Sequence, residues 1–377
     1  MKIVLAPDSF KGSLSALEVV DSLAQGLNRA DGDFEINKMP MADGGEGTVN
    51  SLVNATGGRI VEEEVLDPLG NKITAEFGIL GNGTTGVIEM AAASGLPLVP
   101  KEKRDPLETT TYGTGELIKA ALDEGCKKLI IGIGGSATND CGVGMAQALG
   151  AKFLDESGEE VSLGGKELKK IDKVDLSGLD ARIYETEIEV ACDVDNPLYG
   201  KDGAAYVYAP QKGADEAGVE ELEEGLRGLA QVIKDDLDKE VAQIPGAGAA
   251  GGLGAGLVAF LDAELKSGIE IVIEASSLEE EVAEADLVIT GEGMIDEQTL
   301  FGKTAVGVAK AAKKYELPVI AVAGSVGPKS HKVYEGGIDA FFSIIDQPLK
   351  LEQAEEDAAQ LLESWALNMG RVIKELS

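Results

Sequence analysis

Residues 286–293 read DLVITGEG. The run from Leu287 to Thr290 is apolar and β-branched, and a glycine-bearing turn follows at once. That pattern marks a short strand buried on both faces, the kind found in parallel sheets. Two more strands of this type follow, LPVIAVAG (317–324) and DAFFSI (339–344). Helical segments accompany them, KTAVGVAKAAKKY (303–315) and LEQAEEDAAQLLESWALNMGRVIKEL (351–376). The same alternation stands at the start of the chain, where KIVLA (2–6) and DFEINKMP (33–40) read as strands. Between them Ser15 and Glu18 form an S-x-x-E capping box, which opens a helix. Its apolar face is Ala16, Val19, Val20, Leu23 and Leu27, at helical spacing. These five strands predict one doubly wound parallel sheet of an α/β protein, assembled from both ends of the chain.

The middle of the chain reads differently. GRIVEEEVL (58–66), KITAEFGIL (72–80) and TGVIEM (85–90) are strand-like runs separated by DPLGN (67–71) and GNG (81–83). Both separators are strong turn chemistry, so an antiparallel meander is expected there. The predicted organisation is a discontinuous doubly wound domain, residues 1–60 plus 285–377, with a second mixed α/β domain, 61–284, inserted.

Composition narrows the function classes. The chain has 377 residues, a formal net charge of −34 and 44% hydrophobic residues. An acidic surface of this size repels nucleic acid and anionic lipid, so neither is expected as a partner. Any anion site must be built locally from Lys side chains, backbone N–H groups or metal. Cys126, Cys141 and Cys192 show no C-x-x-C spacing. They read as small buried hydrophobes of a reducing compartment rather than a disulfide or zinc site. The single histidine, His331, argues against a Ser-His triad and against a site with several His ligands. The start shows no signal-peptide pattern. The longest uncharged stretch, VAQIPGAGAAGGLGAGLVAFL (241–261), is a poor membrane span because of its glycines and Pro245. A cytoplasmic location is expected, and a homo-oligomer is left open.

Six segments carry candidate chemistry. The loop APDSFKGSLSA (6–16) leaves the first strand at the edge where open parallel sheets bind ligands. Asp8, Ser9, Lys11 and Ser13 crowd there, and Lys11 is a compact cation suited to a phosphate or carboxylate. The competing reading is a helix cap with solvated charges. MADGGEGT (41–48) places Asp43, Gly44 and Gly45 at a helix start, either as an anion cradle or as a plain capping box. GIGGSATND (132–140) matches G-x-G-x-x-A through Gly132, Gly134 and Ala137. Asp155 stands about where a ribose-binding acid would sit, which suggests NAD. With 49 glycines in the chain that spacing discriminates poorly. The turn also carries Ser136, Thr138, Asn139 and Asp140, the polar groups a phosphoryl-transfer site uses on phosphates and magnesium. In ACDVDNPLYG (191–200) Asp193 follows a strand, a candidate general base for a hydroxyl or an ordinary Asx turn. APQKGA (209–214) places Lys212 in a loop. GEGMIDEQTLFGKT (291–304) holds Glu292, Asp296 and Lys303. Its GKT is not a Walker A, because Glu297 stands where that motif needs glycine.

Taken together, APDSFKGSLSA, MADGGEGT, TTYGTGELI (110–118), GIGGSATND, ACDVDNPL, APQKGA, PGAGAAGGLG (245–254) and ADLVITGEG (285–293) resemble, in that order, the bacterial glycerate kinases of type 1. The resemblance covers nearly the whole chain, and the joint order is far more specific than any one motif. It implies a two-domain fold with a flavodoxin-like part, magnesium, and ATP-dependent phosphorylation of D-glycerate at the 2-hydroxyl, giving 2-phosphoglycerate. Within that frame Asp8, Lys11 and Asp193 are the expected catalytic residues, with Asp193 taking the hydroxyl proton. Ser9, Asp43, Gly44, Gly45 and Lys212 are expected around glycerate, with Lys11 on its carboxylate. Gly134, Gly135, Ser136, Thr138, Asn139 and Lys303 are expected on the phosphates of ATP, and Asp296, Glu292 and Asp140 on magnesium. The chain departs from the family at Met294, where Arg is usual, and at Cys141, where Gly is commoner. Two rival readings are an NAD-dependent oxidoreductase and a non-catalytic small-molecule-binding protein.

Overall fold

The fold is that of a computed structural model, which describes residues 1–300 and 302–376. Along the chain the strands are β1 (Lys2–Pro7), β2 (Glu35–Lys38), β3 (Arg59–Leu66), β4 (Lys72–Ile79), β5 (Thr85–Glu89), β6 (Lys128–Gly132), β7 (Lys152–Leu154), β8 (Lys173–Asp175), β9 (Glu187–Ala191), β10 (Glu264–Lys266), β11 (Leu287–Ile295), β12 (Val319–Val326) and β13 (Ala340–Ser343).

The chain divides into two compact units. The first comprises Met1–Asp43, Asn50–Gly57 and Ser267–Ser377, and the second Gly44–Val49 and Gly58–Lys266. The late boundary falls at 267 rather than 285, because the helices Gly268–Ala275 and Leu278–Ala283 pack with the helix Thr304–Lys313 of the first unit. The short segment Gly44–Val49 belongs to the second unit.

In the first unit the sheet order is β13-β12-β11-β1-β2, and every pairing is parallel. Numbered within the unit, that is the flavodoxin-type order, with the direction of winding reversing between β1 and β11. The pairing of Ile3 with Leu287 and of Pro7 with Gly291 joins the two ends of the chain. The helix Ala16–Ala30 begins at the expected capping box: Ser15 N–H donates to Glu18 Oε2 at 2.8 Å, and Glu18 N–H donates back to Ser15 Oγ at 3.3 Å. Its face of Val19, Val20, Leu23 and Leu27 is fully buried with Ile3, Leu5, Ile289, Val322, Leu362 and Ala366. The helix Ala358–Leu376 lies against it at very short range. A Cβ on Gly26 would stand 2.3 Å from the Glu363 carbonyl oxygen.

The second unit is built on a six-stranded sheet of order β10-β9-β6-β5-β4-β3. β3, β4 and β5 form the expected antiparallel meander, whereas β5, β6, β9 and β10 run parallel. Asp67 Oδ1 closes the first meander turn by accepting N–H bonds from Leu69 and Asn71, each at 2.8 Å. β7 and β8 form a separate antiparallel pair. The helix Ala249–Leu261, which spans the glycine-rich stretch, has left-handed backbone at Ala250, Gly251 and Gly252. Among the described residues no helix is long and apolar enough to cross a membrane.

The glycine approach between the first unit's helices sets a clear contrast. Gly26→Ala should destabilise the protein by about 1–3 kcal/mol, because the methyl group must displace backbone. Gly228→Ala, on an exposed helical position with nothing within 4 Å of the added Cβ, should stabilise by about 0.5–1 kcal/mol. Thermal or urea unfolding of the two variants checks both signs.

Candidate active site

In the first unit the carboxyl end of β1 delivers Asp8 to the point where the winding reverses. Its N–H donates to the Gly291 carbonyl at 2.8 Å, which ties the loop to β11. Its carboxylate is held at both oxygens: Ser9 N–H donates to Oδ1 at 2.6 Å, and Thr304 Oγ donates to Oδ2 at 2.5 Å. Asp8 is half-buried. Burial pushes its pKa up to about 6, the nearby Asp43 and Glu292 carboxylates add to the rise, and the two hydrogen bonds oppose it. A poised carboxylate at a sheet's switch point is where a base would be sought.

The surrounding loops are tightly built. Phe10 N–H donates to the Leu14 carbonyl, and Ser13 Oγ donates to the Glu355 carbonyl at 2.7 Å. Gly293 lets this loop approach β11, since a Cβ there would come within 3.3 Å of the Lys11 nitrogen. Lys11 itself is exposed at the loop tip. Lys303 pairs with Glu292 Oε2 at 3.1 Å. The other oxygen, Glu292 Oε1, is buried and meets no donor in hydrogen-bond geometry among the described residues, although the Thr299 hydroxyl also stabilises the carboxylate. Burial raises the Glu292 pKa against the pull of Lys303. Asp296 Oδ1 accepts from Gln298 N–H at 2.8 Å. Met294 lies nearly half exposed on the same strand.

The second unit revises the reading of GIGGSATND. Only Gly134 and Gly135 of the turn are exposed; Ser136, Thr138, Asn139 and Asp140 are all buried. Lys212, expected at the substrate, is instead a buried brace, 2% exposed. Its Nζ donates to Ser136 Oγ at 2.6 Å and to the Thr138 carbonyl at 2.7 Å. Burial pushes its pKa down to about 7, with the Asp140 charge opposing. Asp140, expected on magnesium, is instead caged. Its Oδ2 accepts from Thr111 N–H at 2.8 Å, Thr111 Oγ at 2.9 Å and Thr110 Oγ at 3.2 Å, and Oδ1 from Gly142 N–H at 3.3 Å. It clamps the turn to segment 110–111. Thr138 Oγ and both Asn139 side-chain polar atoms are buried without a partner among the described residues.

The glycines of PGAGAAGGLG explain this burial. A Cβ on Gly251 would stand 2.0 Å from the Thr138 carbonyl, and one on Gly256, just beyond the stretch, 2.1 Å from that of Cys141. The glycine stretch exists so that backbone can press on backbone. Cys141 adopts φ +52°, the left-handed region that glycine enters most easily. The helix that follows is only Val143–Ala148, entered through left-handed Gly142. Such a helix gives a pyrophosphate little to bind, and Gly132 approaches Gly44 rather than a ligand: a Cβ there would be 2.5 Å from the Gly44 oxygen. Asp155 accepts from Ser157 and Glu159 N–H groups in its own turn, at 2.9 and 3.0 Å, which removes the ribose acid of the NAD reading. The N–H groups of Gly47, Thr48 and Val49, further along the same segment, act on Glu89 at the end of β5, which accepts from Val49 N–H at 2.9 Å. Asp193 sits exposed beyond β9.

Thr304 and Glu89 were missed from sequence. Thr304 stood in the rejected GKT run, and Glu89 ended a meander strand with no nearby partner in the chain. Among the described residues no three His, Cys, Asp or Glu side chains converge as a metal cluster.

The model of the Glycerate kinase family matches residues 3–374. The chain belongs to the glycerate kinase family. It is 54% identical to the glycerate kinase of Halalkalibacterium halodurans, over 98% of this chain and 97% of that one. The glycerate kinase of Bacillus subtilis is also 54% identical, over 99% and 98%, as is the glycerate 2-kinase of Escherichia coli, over 94% and 93%. A crystal structure from Salmonella typhimurium LT2, described as a glycerate kinase 2, superposes with a TM-score of 0.92 at 51% identity, over 100% of this chain and 98% of the other. This glycerate kinase is therefore an enzyme, with a phosphoryl group to place on glycerate and a proton to remove from it.

Lys212 supplies a test of the buried turn. Its folded pKa, about 7, lies below the value of about 10.5 for a solvated lysine. The cost of burying its charge is therefore fully present below pH 7 and fades as pH rises towards 10. Relative to Lys212→Met, the wild-type protein should gain about 2–4 kcal/mol of stability between pH 7 and pH 10, as read by urea unfolding at each pH. A flat difference would show that the ammonium is not held in the buried site.

Proposed function

We propose that this enzyme uses ATP to phosphorylate D-glycerate at the 2-hydroxyl. The observation that carries the reading is the Asp8 carboxylate, fixed at both oxygens where the winding of the parallel sheet reverses, in a chain of this family. The 2-position is favoured by the name and 54% identity of the Escherichia coli relative.

In this reading Asp8 takes the base role that Asp193 had been expected to fill. As the substrate oxygen bonds to the γ-phosphorus, its proton passes to the Asp8 carboxylate, and ADP leaves with the bridging oxygen. The transferred group has a loose transition state, so positioning and charge stabilisation dominate over proton removal. Lys11, exposed at the loop tip, and Ser9 supply local donors for the glycerate carboxylate in an otherwise acidic protein. Lys303 would serve the phosphates once they compete with Glu292 for it.

Magnesium commonly takes one or two carboxylates, with phosphate oxygens and waters completing the octahedron. The buried Glu292 Oε1, which accepts no hydrogen bond among the described residues, fits such a contact, and Asp296 is the second candidate. When bound, the ion supplies charge neutralisation at the transferred phosphoryl group.

Phosphorus NMR of the product from ATP and D-glycerate tests activity and regiochemistry together; a 3-phosphate signal overturns the position. Asp8→Asn should lower kcat by about 10² or more. The same substitution should also stabilise the fold at pH 7. The Asp8 pKa is raised, so its ionisation costs stability as pH rises from about 4 to about 6, and that cost is fully present above. Melting curves should show the variant above wild type at pH 7 and the advantage gone near pH 4.

A further inference from the structure

Thr304 lies in the GKT run at 302–304 that fails as a phosphate loop. The side chain is buried, 1% exposed, at the first position of the helix Thr304–Lys313. Its hydroxyl donates to Asp8 Oδ2 at 2.5 Å. The opposite oxygen, Oδ1, is held by the Ser9 N–H at 2.6 Å. Ser9 belongs to the same loop as Asp8 and moves with it. Thr304 is anchored elsewhere, in a helix packed on β11. The other ionisable groups acting on Asp8, Asp43 and Glu292, are carboxylates that repel it, and the nearby Lys303 is engaged with Glu292.

We propose that Thr304 is a positioning residue, whose hydroxyl aims the Asp8 carboxylate at the substrate hydroxyl. The inference rests on Asp8 being the base. A hydrogen bond from a neutral hydroxyl to a carboxylate is charge-assisted, short and directional. Without it, Asp8 keeps one tether, from its own loop, and the carboxylate swings away from its repelling neighbours. Small displacements of a reacting group are costly in rate.

The test compares Thr304→Val, which keeps the shape and removes the hydroxyl, with Thr304→Ser, which keeps the hydroxyl. Thr304→Val should lower kcat by about 10- to 100-fold with KM for both substrates little changed. Thr304→Ser should stay within about threefold of wild type, since its hydroxyl has the same donor capacity. In the Asp8→Asn background Thr304→Val should add less than about a twofold further loss, because the two residues act as one unit. If Thr304→Val does not fold, Thr304→Ala carries the same expectation. A hydroxyl-free variant with kcat within twofold of wild type, or fully additive losses in the double variant, overturns the inference while leaving Asp8 as base. Wild-type kcat in Asp8→Asn overturns the base itself.

Discussion

The pairing of β1 with β11 is the contact on which the rest of the molecule depends. It joins residues 284 positions apart, as in the bond from Thr290 Oγ to the Ala6 carbonyl. It places β1 second in its sheet, and so creates the reversal of winding at its carboxyl end. It sets Asp8 beside Gly291 and within reach of Thr304. The buried apolar faces of Ile3, Leu5 and Ile289 hold that register with no charged side chain between them. A slip of one residue would turn those faces to the wrong side of the sheet, and would carry the carboxylate away from Thr304.

The second unit solves a different problem, the burial of a polar turn. Close-packed glycine backbone leaves no room for solvent over residues 136–141. The polar groups trapped there need internal partners. Lys212 and the threonines at 110 and 111 provide them for Ser136, the Thr138 carbonyl and Asp140, while the Thr138 hydroxyl and the Asn139 amide have none among the described residues. A lysine inside a fold is costly, but here its ammonium replaces several smaller donors with one. Ser136 and Asp140 thus help to hold the turn in place, while its two exposed glycines meet the surroundings.

Much of this was legible beforehand, for identifiable reasons. Ser15 and Glu18 announce a helix because capping is local chemistry. The meander was legible because DPLGN and GNG are turns by their own dihedral needs. The discontinuous sheet followed from apolar, β-branched runs at both ends, since burial on both faces leaves a compositional mark. Long-range polar contacts leave none. Nothing in APQKGA distinguishes a braced lysine from a solvated one, and nothing in GKT predicts a hydroxyl bound to Asp8. The glycines of PGAGAAGGLG could be counted but not interpreted, because close approach depends on what lies opposite. For the same reason the left-handed backbone at Cys141 and Gly142 leaves no mark in the sequence: those residues pack against Gly252, Leu253 and Gly256, more than a hundred positions away.

The discontinuity of the first unit also orders events during synthesis. As the chain emerges from the ribosome, β1 and β2 appear first, but their sheet cannot close until β11, β12 and β13 have been made. Most of the second unit, from Gly58 to Lys266, emerges in between and can assemble while they wait. The N-terminal strands spend that interval with unpaired edges, which favour pairing with other chains. β2 is short and reads Glu-Ile-Asn-Lys, with a charge at each end, and Lys2 opens β1. These charges guard the strands until β11, β12 and β13 have been made.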